Sequence, residues 1–339
     1  MNSRDRIQHI LAGQPGDCIP VLPIVHTALA HIEGVPPGRY FTDSEIMAQV
    51  AVRSAQRFGF DGVQLTLGVI AEPEALGAVV AFSPDSAPVL KERLLADLGR
   101  MDALRKINIA SGGRLPMFQQ AVSRVVNEIG DHTFVISTLR GPLNIAAQLR
   151  GVEQILVDMI ENPEAAMKIL EFTTDLAVQV AHASLASGAH AVMFGEATCS
   201  PNFISPRMYR EFMHPLHSRL IRQVKAMGWK TAGLHVCGDI RSIFEDLVST
   251  GVDLLDVDYQ VDATEALALN RGRVALRGNL DPSSLFFLGD EKQVHDQTLE
   301  LCRQVHSSPW ILSSGCDIPA GTPAKNLAAF VKAAHQSAG

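Results

Sequence analysis

Apolar residues occur along this chain in two patterns. Short and nearly continuous apolar runs have the length and composition of buried β-strands. Longer stretches repeat their apolar residues every three or four positions, which predicts amphipathic helices. The short runs fall at 19–26, 60–67, 133–139, 190–196, 230–237, 254–258, 273–278 and 310–314. Helices are predicted at 3–12, 42–58, 163–187 and 206–227, with a last one after Thr322-Pro323.

Glycines mark the passage from helix to strand. Gly59, Gly188, Gly228 and Gly251 are each followed by one residue, then a polar residue, then an apolar run. A glycine just past a helix favours a backbone with positive φ, which ends the helix. The repeated helix-glycine-strand order indicates the αβ connection of a protein with parallel strands.

Eight strands interleaved with helices predict an α/β fold, the (β/α)8 TIM barrel, rather than an open doubly wound sheet. Residues 68–132 are longer than one crossover requires, and they predict an N-terminal excursion from the barrel. No linker-like stretch divides the chain, so we expect a single domain over residues 1–339.

Composition excludes several classes of function. The formal net charge of −7 and the lack of a basic patch argue against a nucleic-acid partner. No apolar run reaches the roughly 18 residues of a membrane span, and the charged first residues do not match a signal peptide. Five cysteines spread along the chain do not form a disulfide framework. We therefore expect a cytoplasmic protein with reduced cysteines.

Candidate metal ligands lie at the ends of two predicted strands. His235 and Cys237 are two positions apart on one strand, so their side chains point the same way, about 7 Å apart. Cys316 follows the apolar run at 310–314, and in a barrel these strand ends share one mouth. Two cysteines and one histidine are a ligand set of catalytic zinc. The alternative is a packed strand end without a metal.

Three further polar residues follow predicted strands. Asp258 is a candidate fourth ligand to the metal or a surface acid, and Glu196 is a candidate acid facing the substrate or one arm of a salt bridge. Asn279 is a candidate substrate-binding residue or a turn former.

Longer motifs lead to a resemblance. They are Leu234-His-Val-Cys-Gly238, Gly278-Asn279, Ser200-Pro-Asn-Phe-Ile-Ser-Pro206, Gly141-Pro142 and Gly315-Cys-Asp-Ile-Pro-Ala-Gly-Thr-Pro323. With these, the chain resembles the uroporphyrinogen decarboxylase superfamily, and within it the zinc-dependent corrinoid methyltransferases.

The resemblance implies a barrel with zinc on His235, Cys237 and Cys316 and an acid near Asp258 as an extra ligand. It implies a methyltransferase that moves a methyl group between a corrinoid, such as methylcobalamin, and a thiol such as coenzyme M. No Asp-x-His-x-x-Gly signature of a corrinoid-binding domain is present, so we expect the corrinoid on a separate protein. Because a large flat ring must approach the zinc, we expect a cavity above the metal that is open to solvent and broad enough for a corrin, rimmed by residues 68–90 and the loop after Glu196.

Rival interpretations remain open from the sequence. The same family chemistry can run in reverse, taking a methyl group from an O- or N-methyl donor to the corrinoid. A uroporphyrinogen decarboxylase-like lyase is less favoured. The resemblance implies that such an enzyme needs an arginine-rich N-terminal segment and an acid after the second strand, but Arg39 is the only arginine in residues 19–52 and the segment 66–70 has no acid. A non-catalytic barrel with a structural zinc site is the third interpretation.

Overall fold

The computed structural model describes residues 1–14 and 16–336 of the chain. Pro15 and residues 337–339, the end of the predicted domain, lie outside the described residues. The nine strands are β1 (Gly62–Thr66), β2 (Val80–Ser83), β3 (Ser86–Leu90), β4 (Phe134–Arg140), β5 (Ala191–Gly195), β6 (Ala232–His235), β7 (Leu254–Asp256), β8 (Ala275–Leu280) and β9 (Trp310–Ser314).

Helices alternate with these strands as expected. They are α1 (Ser3–Leu11), α2 (Thr27–Ile32), α3 (Pro37–Tyr40), α4 (Ser44–Phe58), α5 (Ala71–Ala75), α6 (Met101–Leu104), α7 (Leu115–Ile129), α8 (Pro142–Arg150), α9 (Val152–Glu161), α10 (Pro163–Leu185), α11 (Pro206–Met208), α12 (His214–Met227), α13 (Phe244–Ser249), α14 (Ala263–Asn270), α15 (Glu291–Gln304) and α16 (Ala324–Gln336). A π-helical segment, Tyr209–Met213, joins α11 to α12, so the predicted helix at 206–227 is continuous. No helix that the structure describes is long and apolar enough to span a membrane.

Within the described residues, seven parallel strands form one curled sheet in the order β1-β4-β5-β6-β7-β8-β9. This is a TIM-barrel-like α/β fold, and seven of the eight predicted strands are confirmed. The four glycines predicted to end helices have φ between 77° and 117°, in the range that glycine alone adopts freely.

The predicted strand at 19–26 was wrong as a regular strand. It makes only an isolated parallel bridge, Val21 to Leu312 of β9, because Pro20 and Pro23 have no N–H for a ladder. The segment still fills the eighth position. The Leu22 N–H donates to the Leu312 carbonyl at 2.9 Å, and the Asp61 N–H donates to the Val21 carbonyl at 2.9 Å. It therefore closes the gap between β9 and β1 without forming a strand.

The excursion at 68–132 has two parts. Its last part is α7, which is the ordinary crossover helix between β1 and β4. Its first part contains the antiparallel hairpin β2–β3, which lies outside the barrel sheet. At the other end of the barrel, Ile7 and Ile10 of α1 join an apolar cluster with Phe134 and Leu254 from the strand interiors. The amino ends of the strands are thus closed, and the carboxyl ends remain for a site.

Candidate metal centre and substrate cavity

Three predicted ligands meet at the carboxyl ends of the strands. The His235 Nε2 lies 3.2 Å from the Cys237 Sγ and 3.8 Å from the Cys316 Sγ, and the two sulfurs are 3.7 Å apart. All three side chains are partly exposed. Gly315 permits this approach, because a Cβ there would lie 2.3 Å from the backbone nitrogen of Tyr259. The loop after β9 can therefore reach the end of β6.

These separations fit a zinc ion. With zinc bonds of about 2.3 Å to sulfur and 2.0–2.1 Å to nitrogen, tetrahedral angles place two sulfurs about 3.8 Å apart and a sulfur about 3.6 Å from the nitrogen. The observed distances average close to these values without rearrangement of the backbone. The donor set and its spacing are therefore compatible with zinc.

Hydrogen bonding in the cluster favours thiolate. Cys237 first, and then His235, act as hydrogen-bond donors toward Cys316 and lower the pKa of the Cys316 thiol to about 4. The pKa of His235 is raised: burial opposes its charge, but the Cys237 sulfur and the Asp256 carboxylate outweigh burial. The same hydrogen bond to Cys316, followed by burial, raises the pKa of the Cys237 thiol, so the pair presents one thiolate, the form of cysteine that binds metals.

Asp256 fixes the orientation of His235. The two Asp256 oxygens accept hydrogen bonds from Arg277 Nε at 2.7 Å and Nη2 at 2.6 Å, and Oδ2 also lies 2.9 Å from His235 Nδ1. A carboxylate held in this way can only accept, so the Nδ1 proton belongs on that side and Nε2 faces the sulfurs. Burial would raise the pKa of Asp256, but Arg277 and His235 hold it below its ordinary value.

The network continues around the cavity floor. Arg277 Nη1 donates to Gln64 Oε1 at 2.7 Å, Gln64 Nε2 lies 2.9 Å from His26 Nε2, and His26 Nδ1 lies 3.0 Å from Asp317 Oδ1. Asp317 is the residue after Cys316, so a single chain of hydrogen bonds supports both sides of the cluster. Sequence reasoning missed Asp256 and Arg277 as site residues. The available signal was a charged side chain inside an otherwise apolar strand, which is rarely buried unless paired.

Asp258, predicted as an extra ligand, lies outside the group of three. Its Oδ2 accepts the Gly238 N–H at 2.9 Å and its Oδ1 accepts the Gln260 N–H at 3.0 Å. Burial, the largest influence, raises the pKa of Asp258. In this geometry the carboxylate holds the turn that follows Cys237.

Glu196, predicted to face the substrate, is fully buried behind the cavity wall. Its Oε1 accepts the Leu143 N–H at 3.1 Å and its Oε2 accepts the Asn144 N–H at 2.9 Å, at the start of α8. Its Oε1 also lies 3.0 Å from His217 Nε2, and His217 Nδ1 lies 3.0 Å from the Tyr209 hydroxyl. The carboxylate is thereby committed to structural hydrogen bonds.

Asn279 lies away from the metal ligands. Its Nδ2 donates to the Val261 carbonyl, which links the end of β8 to the loop after β7. It lines a separate surface depression with Tyr259 and Gln304 rather than the cavity beside the cysteines.

A cavity of about 240 Å³ lies directly beside the three ligands. Of the predicted rim, Gly68 and Val69 from the excursion and Ala197 from the loop after β5 line it, whereas residues 70–90 do not. Phe41 and Met193 supply apolar wall, while Arg140 adds a positive charge. The volume equals that of about eight waters, which suits a small substrate. The prediction of a cavity broad enough for a corrin was therefore wrong, because the side chains at the strand ends fill most of that space.

Comparisons with known proteins cover nearly the whole chain. The family model described as uroporphyrinogen decarboxylase (URO-D) matches residues 2–337. The chain is 26% identical over 339 residues to the methylated-thiol--coenzyme M methyltransferase of Methanosarcina mazei, covering 99% of this chain and 89% of that protein. It is 24% identical over 336 residues to a methylcobamide:CoM methyltransferase of Methanosarcina acetivorans, covering 98% and 97%. A solved methyltransferase structure from Methanosarcina mazei superposes with a TM-score of 0.90 at 21% identity, covering 99% of both chains.

Proposed function

This chain belongs to the uroporphyrinogen decarboxylase family, and from that premise we propose that it is a zinc-dependent methyltransferase acting between a corrinoid and a thiol. The observation that carries the proposal is the group of His235, Cys237 and Cys316 beside a small open cavity. The relatives named as coenzyme M methyltransferases make coenzyme M the first thiol to test.

Each residue of the centre has a defined task. His235, Cys237 and Cys316 hold the metal, and Asp256 keeps the His235 ring turned toward it. Zinc, when bound, lowers the pKa of a substrate thiol so that it reacts as thiolate at neutral pH. The two cysteine thiolates lower the net positive charge of the site, which preserves the nucleophilicity of the substrate sulfur.

The donor set favours a catalytic over a structural metal site. Asp258 is the fourth protein ligand that a closed site would need, and both of its oxygens accept backbone N–H groups instead. Three protein ligands with one open position are the arrangement of catalytic zinc sites. Partial exposure of all three ligands leaves that position accessible from the cavity.

Cavity size determines how the two substrates meet. A thiol of a few atoms fits in 240 Å³, whereas the corrin ring does not. We propose that a separate corrinoid protein presents the ring at the mouth, over the bound thiol. Methyl transfer needs sulfur, carbon and cobalt in line, with reacting atoms about 3–3.5 Å apart, and an open mouth allows that approach.

The same cavity disfavours decarboxylation of a tetrapyrrole. A substrate with many carboxylates requires many cationic partners, since unpaired buried charge is costly. Arg39, the arginine within residues 19–52, is exposed and lies 3.8 Å from Asp43 instead of lining the cavity. Of the two arginines that do line it, Arg277 is already paired with Asp256.

The test is methyl transfer from methylcobalamin to coenzyme M by the zinc-loaded protein, followed as loss of the methylcobalamin absorbance. We expect activity in the wild type and a loss of at least about 100-fold in Cys237→Ala, because a metal ligand is removed. Cys18→Ala is the matched control. Cys18 lies near Arg6 and Asp61, at the amino ends of the strands, and its loss leaves the rate unchanged.

Two outcomes would redirect the proposal. Equal rates in the wild type and Cys237→Ala would remove the metal-bound thiol from the reaction. Methylation of cob(I)alamin from an O- or N-methyl donor, without transfer to any thiol, would assign the reverse reaction to the same centre.

A further inference from the structure

A groove of about 700 Å³ lies at the amino ends of β5 and β6, at the opposite ends of the strands from the three metal ligands. The helix α1, which closes the barrel interior, packs over β1, β4 and β9, so the loops that lead into β5 and β6 leave an open space along one side of it. We call this space the amino-end groove. The residues of it that bear on a ligand are Arg4, Leu11, Leu185, His190, Lys230 and Thr231.

Two cationic side chains line the amino-end groove with donor atoms left over. The Arg4 backbone N–H donates to the His132 carbonyl at 2.8 Å, and Arg4 Nη1 donates to the Gly130 carbonyl at 3.2 Å. The buried Nε of Arg4 has no hydrogen-bond partner among the described residues, and Asp5 Oδ1 is 3.9 Å away, beyond hydrogen-bond distance. Lys230 is exposed, and its Nζ makes no hydrogen bond or ion pair within residues 1–14 and 16–336.

Two neutral donors lie between these cations. His190 Nδ1 accepts the Val135 N–H at 2.9 Å, and burial, Arg4 and Lys230 lower the pKa of His190 to about 4. The ring is therefore neutral at pH 7 and carries its proton on Nε2, which makes no hydrogen bond in the part of the chain that the structure describes. Thr231 is only 8% exposed, and its hydroxyl has no partner among the described residues either. An unpartnered polar group at a buried side chain costs free energy unless a ligand or water satisfies it.

The acid that lines the amino-end groove does not cancel these donors. Asp253 Oδ1 accepts from Lys225 Nζ at 2.6 Å, and Asp253 Oδ2 accepts the Ala232 N–H at 2.9 Å, so both oxygens are already bonded. Asp131 also acts on His190 and opposes the two cations, but it is exposed and does not line the groove. The groove therefore keeps more donors than acceptors.

We propose that the amino-end groove binds a phosphate monoester, with the phosphate held by the four donor groups and the apolar body of the ligand against Leu11 and Leu185. A phosphate group offers three acceptor oxygens and close to two negative charges, which suits two cations and two neutral donors better than a carboxylate does. Lysine binds phosphate as a point charge, and an arginine can add directed hydrogen bonds. The volume equals that of roughly 23 waters, so the groove has room for a body beyond the phosphate.

The experiment is calorimetric titration of the zinc-loaded protein with phenyl phosphate. We expect inorganic phosphate and benzoate to bind at least about fivefold more weakly, because the first lacks the apolar body and the second lacks the third oxygen and the second charge. Lys230→Gln should raise the Kd of phenyl phosphate about 10-fold, since a charge-assisted hydrogen bond is lost. Thr231→Val, which removes only the hydroxyl, should raise it about 3- to 10-fold. Lys332→Gln, at an exposed lysine of α16, is the matched control and leaves the Kd unchanged.

A second titration, after removal of zinc with a chelator, separates this groove from the metal centre. The Kd of phenyl phosphate should stay the same, whereas a Kd that depends on zinc would place the ligand at the cysteines and overturn the proposal. No binding by the wild type, or equal binding by the wild type and Lys230→Gln, would also overturn it. Equal affinities for phenyl phosphate and either comparison probe would overturn the assignment to a phosphate monoester. Because Lys230 is exposed, its variant keeps the fold and the test stands even if Thr231→Val does not fold.

Discussion

Two groups of cysteine, histidine or carboxylate ligands lie within 4.8 Å of one another among the described residues, and they behave differently. One is His235, Cys237 and Cys316, and the other is Glu196, Cys199 and His217. The first group is partly exposed beside the cavity, whereas the second is completely buried. Similar residue types at similar spacing therefore do not define a metal centre by themselves.

The two groups differ in whether their ligand atoms are still available to bind a metal. Glu196 accepts three N–H groups, from Leu143, Asn144 and His217, so its oxygens already have their partners. Burial, followed by the nearby carboxylate of Glu196, raises the pKa of the Cys199 thiol far above its ordinary value. That thiol stays protonated and does not bind a metal readily.

The group at the cavity has the opposite properties. The pKa of the Cys316 thiol is lowered to about 4, and the His235 Nε2 faces the two sulfurs. Access and an available thiolate therefore separate a binding group from a structural one.

The largest expected effect is on zinc content. Cys316→Ala should weaken zinc binding about 100- to 1000-fold, because one of three protein ligands is lost from a site worth roughly 10–16 kcal/mol when four ligands are present. Cys199→Ala should keep about one zinc per chain. Competition with a chromophoric chelator measures both affinities. Loss of zinc in Cys199→Ala alone would exchange the roles of the two groups.

The next effect is on stability. Glu196→Gln should lower the free energy of unfolding by about 3 kcal/mol. One carboxylate oxygen is replaced by an NH2 group, which cannot accept the N–H groups that it faces. Zinc content and affinity should remain those of the wild type. Denaturant unfolding gives the stability, and the chelator assay gives the zinc affinity. A variant that loses zinc but keeps its stability would place Glu196 in the metal centre.

Periodicity was enough to predict most of the fold. Seven of eight strands were found because parallel strands buried on both faces are continuous apolar runs, and such runs are visible in a sequence. The segment at 19–26 has the same composition, and only Pro20 and Pro23 show that it cannot make a regular ladder. It still lies in the eighth position, since backbone atoms of Pro20, Val21 and Leu22 keep hydrogen bonds to both neighbours.

The site was predicted less completely, for a physical reason. The alternation of side chains along a strand and the shared mouth of a barrel were enough to predict that His235, Cys237 and Cys316 lie close together. What Glu196 does, however, depends on which backbone N–H groups it meets at the start of α8, and no local pattern encodes that contact.

The smallest effect concerns a third histidine, which sharpens the criterion of the available lone pair. His190 Nδ1 accepts the Val135 N–H at 2.9 Å, so this nitrogen is already used. Burial first, and then Arg4 and Lys230, lower the pKa of His190 to about 4. Between about pH 6.5 and pH 4 the unfolded chain therefore binds a proton that the folded chain does not, and stability falls as the pH falls through that window.

Because His190 is only partly buried, solvent screening reduces this contribution to about 1 kcal/mol. His190→Asn keeps an acceptor for the Val135 N–H and removes the titration, so its free energy of unfolding should fall less steeply than that of the wild type from pH 6.5 to pH 4. Urea unfolding at a series of pH values measures the difference, with the exposed His306→Asn as control. Parallel curves for the wild type and His190→Asn would show that the ring of His190 accepts a proton without losing its bond. A ring nitrogen that already accepts a backbone N–H would then not be enough to identify a histidine as structural.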